Sequence, residues 1–241
     1  MTPARRPAPF ESPEPAAVPV PAVRIYPLGD EALVCEAPPP ATLEVQYRIW
    51  AVAALARDWP AVREVVPGMN NLTLVFDPLA AASADTAMLT SMLEAAWRDA
   101  DLDRAQHTGR DIEIPVVYGG DGGPDLAEVA RHARLTPAEV AARHAAGHYT
   151  VFFLGFQPGF AYLGGLDRAL FTPRRREPRV AVPAGSVAIG GEQTGIYPAQ
   201  SPGGWQLIGR TTVTLFDPAH NPPTLLLPGD RVRFTVAELH A

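Results

Sequence analysis

After Tyr149 the chain is written in short apolar runs, TVFFLGF, RVAVP, SVAIGG, TGIYP, WQLIGRTTVTLF and TLLLPGDRVRFTV, cut by glycine and proline. Glycine and proline both oppose a persistent helix, so this half cannot be built from long helices. Short strands joined by frequent turns, as in a β-barrel or sandwich, are what such punctuation allows. One stretch stands out, GGEQTGIYPAQSPGGWQLIGRT from Gly190 to Thr211. It is too apolar for a linker and too broken for a helix, and it carries Gln193, Tyr197, Ser201 and Trp205.

The first half reads differently. Residues 1–22 are rich in proline and are expected to form a disordered tail, with no continuous apolar run that would make a signal peptide. VRIYP and ALVCEA read as two strands. In the segment ATLEVQYRIWAVAALARDW, Leu43, Tyr47, Trp50, Ala51 and Ala54 fall at helical spacing, and Pro60 stops it. VREVVPG and NLTLVFDP form a hairpin about Gly68–Asn71, and SADTAMLTSMLEAAWRDA is a second amphipathic helix with Ser83 as its expected cap. The order ββαββα predicts a small antiparallel sheet with helices on one face. The fold class expected is therefore α+β, with a tail over 1–22, a small α+β domain over 23–105 and a β-barrel domain over 106–241. The barrel domain opens with the strand IEIPVVYG. Two short helices then begin near Pro124 and Pro137.

Composition removes several classes of function. With 47% apolar residues there is enough for a core, and the formal charge of −6 argues against a general nucleic-acid binder. No apolar run reaches the ~18 residues of a membrane helix. All 20 basic residues are arginine. A chain without lysine offers no Walker-A lysine, no Schiff base and no attachment point for biotin. Cys35 is the single cysteine, which excludes an internal disulfide, reads as a buried structural thiol and fits a cytoplasmic protein.

The candidate chemistry lies in four places. The loop YGGDGGPDL stands between a strand and a helix, but Asp121 and Asp125 put negative charge where a phosphate would sit. His144 and His148 have metal-sharing spacing, yet Ala145 occupies the position of a metalloprotease glutamate, so no metal site is expected. The segment PRRREPR gathers Arg174, Arg175, Arg176 and Arg179, a cradle for carboxylate or phosphate or else a solvated basic loop. GFQPGFAYLGGL sets Phe156, Phe160 and Tyr162 among glycines, and no G-x-S-x-G elbow surrounds Ser186 or Ser201.

Taken in order, YGGDGGPDLAEVA, FFLGFQPGFAYLGGL, TPRRREPRVAVPAGSVAIGGEQTGIYPAQSPGGWQLIGRT and LLPGDRVRF resemble the 5-oxoprolinase B-subunit family (PxpB), also called KipI-like and likened to the first subunit of allophanate hydrolase. The resemblance spans about 23–239 and is most specific over 152–211. It implies a cyclophilin-like β-barrel after the small domain. It also implies partnership with the C and A subunits of 5-oxoprolinase in an ATP-dependent complex that opens 5-oxo-L-proline to L-glutamate, this chain being inactive alone. The family's motif falls on Gly155, Phe156, Pro158, Gly159, Phe160, Tyr162, Pro173, Arg174, Arg175, Arg179, Pro183, Gly185 and Ser186. It continues through Gln193, Thr194, Gly195, Tyr197, Ser201, Pro202, Gly203, Gly204, Trp205 and Arg210. Glu192, where a smaller residue is usual, and the proline-rich tail are the departures. On that resemblance Arg174, Arg179 and Arg210 are expected to contact anions during catalysis. Phe156, Pro158, Gly159, Phe160, Tyr162, Arg175, Pro183, Gly185, Ser186, Gln193, Thr194, Tyr197, Ser201, Gly203 and Trp205 would contact substrate or partner, with Gln193, Tyr197, Ser201, Trp205 and Arg210 presented on one face. Nucleic acid, membrane and metal are not expected. The resemblance also admits a KipI-like inhibitor of a sensor histidine kinase, or a carboxyltransferase half in urea or allophanate metabolism.

Overall fold

The structure, a computed structural model, describes residues 20–79, 85–102 and 109–240. Strands β1 (Arg24–Pro27) and β2 (Ala32–Glu36), helix α1 (Leu43–Ala56), strands β3 (Val62–Pro67) and β4 (Asn71–Phe76) and helix α2 (Thr86–Arg98) follow the expected ββαββα order. The antiparallel sheet runs β1-β2-β4-β3. Leu33, Cys35, Leu72 and Leu74 line the face on which Ile49, Val52, Leu89 and Leu93 of the helices are buried. Cys35 is 2% exposed, and burial pushes its thiol up to about 12, so it packs as a small apolar residue.

Two local expectations change. The cap of α2 is Asp85, whose carboxylate accepts from Ala87 N; Ser83 lies outside the described residues, as do 1–19 of the tail. Pro21, at the end of that segment, accepts a hydrogen bond from Trp97 Nε1 at 2.8 Å. Helix α1 also turns a different face to its sheet: Val45, Ile49, Val52, Ala53 and Ala56 are buried there, not the Leu43–Ala54 stripe. The reason is that α1 is apolar on two sides because it is packed on two sides. Its second side meets the barrel, where Gln46 Nε2 and Trp50 Nε1 both donate to the Phe152 carbonyl, at 3.1 and 2.9 Å.

The second half opens with β5 (Asp111–Gly119), then α3 (Leu126–Ala133) and α4 (Pro137–Ala146). A full capping box starts α4: Thr136 Oγ1 accepts from Glu139 N, and Glu139 returns the bond to Thr136 N. Pro137 occupies its first turn as expected, whereas Pro124 precedes the first residue of α3 by two positions, ahead of Asp125. Strands β6 (Tyr149–Leu154), β7 (Ala161–Gly164), β8 (Arg179–Val182), β9 (Ser186–Gly190), β10 (Gln193–Ile196), β11 (Ser201–Gly203), β12 (Gln206–Arg210) and β13 (Arg231–His240) complete the chain. Seven of the strands close a barrel in the order β10-β7-β6-β13-β5-β12-β9, while β8 and β11 form a separate ribbon. Closure removes the sheet edges that such short strands would otherwise expose. The pairing of β13 with β5 is parallel; the other barrel pairs are antiparallel. Among the described residues no helix is long and apolar enough to cross a membrane.

Helix α4 drives His144 into the barrel interior, where it is 0% exposed. Tyr118 Oη lies 2.8 Å from Nδ1 and Thr194 Oγ1 lies 2.9 Å from Nε2. Thr194 donates its own proton to the Ala188 carbonyl at 2.9 Å. The threonine oxygen therefore accepts from Nε2–H, which leaves Nδ1 to accept from the tyrosine. This chain of bonds uses a neutral imidazole and links strands three places apart round the barrel. Both ring nitrogens are engaged, so the His144–His148 spacing makes no metal pair; His148 is exposed. Among the described residues no group of three or more His, Cys, Asp or Glu could hold a metal ion.

Burial lowers the His144 pKa to about 3. The unfolded chain binds a proton below its ordinary value of about 6.5 and the native state does not, so stability falls as pH drops through the window between the two. Between pH 7 and pH 5 the loss from this residue is expected to be about 2 kcal/mol. Urea unfolding should show it in the parent protein and show a flatter dependence over that range in His144→Gln.

Candidate functional site

The arginine segment is positioned by Asp125, a residue 5% exposed. It stands at the cap position of α3 but makes no side-chain cap bond. Its carboxylate reaches across to the arginines instead. Arg179 grips it as a fork, Nη1 to Oδ2 at 2.8 Å and Nη2 to Oδ1 at 2.9 Å, and Arg175 Nη1 adds a bond to Oδ1 at 3.1 Å. Leu207 N donates to Oδ2 at 2.7 Å while Asp125 N donates to Leu207 O at 2.9 Å. Helix α3, strand β12 and the strand carrying Arg179 are thus tied at one carboxylate. The bond to Asp125 raises the Arg179 pKa further and keeps that side chain charged. Arg175 N also donates to Gly204 O at 2.7 Å, fixing the extended segment before β8 against the turn after β11.

Outside the barrel wall lies a second small core. Phe160, Tyr197 and Trp205 are buried there with Val182, Ala188 and Leu207, and Tyr162 packs against them half-buried. Phe160 meets Tyr197 and Trp205 edge-on, at centroid distances of 5.2 and 5.6 Å, an arrangement in which ring edges approach ring faces. Gly190 makes room for the Trp205 indole, against which any Cβ would collide. The Arg174 guanidinium lies over that indole, 5.7 Å from its centre. At the rim Phe156 is 61% exposed and holds a left-handed φ of 67°. Gly159 follows with φ 82°, and a Cβ there would fall 2.7 Å from Phe216 Cβ. A non-glycine residue in that backbone region is uncommon and points to a held, preformed loop.

The expected site residues are therefore not gathered on one face. Phe160, Tyr197 and Trp205 form the aromatic core, and Gly203 abuts the Tyr197 ring. Thr194 faces inward on the His144 network. Gly185 and Ser186 hold a turn: Gly185 N donates to Tyr197 O at 2.7 Å and Ser186 Oγ to Pro183 O at 2.8 Å. Arg210 stands exposed at the end of β12, with Nε donating to Ala184 O at 3.1 Å. Pro158 belongs to the rim loop with Phe156. Gln193 Nε2 and Ser201 Oγ are buried with no partner among the described residues.

What the structure does bring together is Arg174, Arg175 and Arg176 around a cavity of about 520 Å³ that opens beside α3, with Glu128, Glu177 and Gln206 also in its wall. Neither Arg174 nor Arg176 has an ion-pair partner among the described residues. Sequence reasoning missed Asp125 as the organiser and Gln206 as a wall residue. The Asp125 contacts cross 50 and 54 positions in sequence, a separation that no local pattern records.

The family described as carboxyltransferase domain, subdomain C and D, matches residues 23–226, and this match sets the chain in the carboxyltransferase-domain class. The B-subunit of 5-oxoprolinase from Escherichia coli O157:H7 is 52% identical over 211 residues, covering 88% of this chain and 94% of that one. The chain belongs to the 5-oxoprolinase B-subunit family. The crystal structure of TTHA0988 is similar at a TM-score of 0.71 and 38% identity, covering 90% of this chain, which spans only 40% of that one. The Kluyveromyces lactis urea amidolyase structure, at 21% identity and a TM-score of 0.73 over 91% of this chain and 15% of that one, shares the fold.

Breaking a buried ion pair by removing one partner leaves an uncompensated charge. Arg175 and Arg179 are partly exposed, which moderates that cost. Asp125→Asn is expected to lower stability by about 2–3 kcal/mol, and Arg174→Gln by less than about 0.5 kcal/mol, both read from urea midpoints at constant m.

Proposed function

We propose that this chain is the B-subunit of an ATP-dependent 5-oxoprolinase that works in a cytoplasmic complex with the C and A subunits and opens 5-oxo-L-proline to L-glutamate. The observation that carries the reading is likeness along nearly the whole length of a curated 5-oxoprolinase B-subunit. The arginine cavity supports it.

The lactam is a stable amide, so its carbonyl must be activated. Phosphoryl transfer to the lactam oxygen makes the ring carbon electrophilic. Water then adds to that carbon and the C–N bond breaks with its electron pair and a proton going to nitrogen, which leaves γ-glutamyl phosphate; a second water hydrolyses this acyl phosphate to glutamate and phosphate. Guanidinium groups suit this course because negative charge develops on oxygen at each stage. Two of the three arginines expected to act, Arg174 and Arg210, have no ion-pair partner among the described residues; Arg179 is held by Asp125.

The loop Gly119–Gly123 does not fit the nucleotide. It leads into α3 through Asp125, whose buried carboxylate already fills that end of the helix with negative charge. ATP is used by the complex, with its phosphates held elsewhere than on this loop.

Reconstitution tests the reading. The C and A subunits together with this chain should release glutamate from 5-oxo-L-proline in an ATP-dependent manner, and without it the rate should fall at least about a hundredfold, a loss of ~3 kcal/mol in transition-state stabilisation. Full activity without this chain would end the assignment.

A further inference from the structure

The cavity beside α3 differs from the other large concave site, which lies between α1 and the barrel. There the charged walls are satisfied internally: Arg231 is forked to Asp111 at 2.7 and 2.9 Å, and Arg233 is paired with Glu113. Beside α3 Glu128 is forked by Arg131, yet two cations are left over. Asp125 engages Arg175 and Arg179, while Arg174 and Arg176 have no ion-pair partner among the described residues. Arg174 is also held in place, because its guanidinium lies over Trp205. Gln206 completes the wall at 7% exposure. Its Nε2 donates to the Pro173 carbonyl at 3.0 Å, which fixes the amide orientation, since a carbonyl takes only a donor. Its Oε1 has no partner among the described residues. An unmatched buried acceptor is unfavourable, and a ligand N–H would relieve it.

We propose that this cavity is the 5-oxoproline subsite, with Arg174 and Arg176 holding the substrate carboxylate and Gln206 Oε1 accepting the lactam N–H. The proposal rests on the 5-oxoprolinase reading above. Charge selects the carboxylate over a nucleotide phosphate. Arg175 is matched by Asp125 and Glu128 by Arg131, so Arg174 and Arg176 stand against Glu177 and the unpaired lining carries one positive charge in excess. That balance matches a monoanion, whereas a triphosphate would meet Glu128 and Glu177 at close range. A planar guanidinium fork also matches a carboxylate in two bonds. The lactam then presents a fixed N–H to a fixed acceptor, and an acceptor of this kind discriminates against ligands that lack the donor.

Steady-state kinetics of the reconstituted complex test this with Arg174→Gln, Arg176→Gln, Arg174→Lys and Gln206→Leu. Each arginine-to-glutamine change should raise the KM for 5-oxo-L-proline about tenfold or more. Gln206→Leu should raise it several-fold, and Arg174→Lys should recover part of the loss; the KM for ATP should hold in all four. The primary amide of 5-oxoproline, which lacks the anion, should be a poor substrate for the parent complex and be discriminated against far less by Arg174→Gln. An unchanged KM for 5-oxoproline in complexes that remain active would place the subsite elsewhere and leave the 5-oxoprolinase reading intact. A raised KM for ATP in its stead would reassign the cavity to phosphate and overturn the proposal. A parent complex with no turnover of 5-oxoproline would remove the reading, and the subsite with it.

Discussion

Asp125 is a single carboxylate that joins three separate parts of the chain. It meets the Arg179 fork, the Arg175 guanidinium and the Leu207 amide, and its own N–H returns to the Leu207 carbonyl. A buried carboxylate is tolerated only when charge and hydrogen bonds compensate it, and here both are complete. The arrangement orders a segment that would otherwise be extended and basic. It also divides four neighbouring arginines into two classes. Arg175 and Arg179 hold the fold, and Arg174 and Arg176 are left to meet something that the described part of the chain does not supply.

The aromatic layer outside the barrel depends on the same tie. Arg175 N is bonded to Gly204 O, beside Trp205, and β8 pairs with β11 to cover Tyr197. Trp205 in turn presents its face to Arg174. Aromatic packing and the arginine cavity are therefore two sides of one structure. Further out, Phe156 keeps a large apolar ring in solvent in a left-handed backbone. One component of a multi-chain enzyme is expected to carry such exposed apolar surface.

Much of the fold was legible because it is written in local periodicity. The ββαββα order follows from alternating and helical spacing, and the broken apolar runs after Tyr149 become short barrel strands. The exceptions have a common cause, which is long-range packing. Helix α1 could not be oriented from its sequence, because Trp50 faces a barrel carbonyl 102 residues away while Val45 and Ile49 face the sheet. The run from Gly190 to Thr211 was recognisable as unusual, yet its residues divide among different surroundings. Thr194 goes to the His144 network, Tyr197 and Trp205 go to the outer core, and Gln206 goes to the cavity wall. The arginine cluster was visible in sequence. Which arginines are neutralised was not, since the deciding acid lies before α3.

The central claim is that one carboxylate organises the arginine segment, and hydrogen–deuterium exchange of Asp125→Asn tests it most directly. The amides of Arg175, Leu207 and the β8–β11 ribbon should lose protection by about a hundredfold, a local cost of ~3 kcal/mol, while β5, β6 and β13 keep theirs. Unchanged protection at Arg175 and the ribbon would contradict the account.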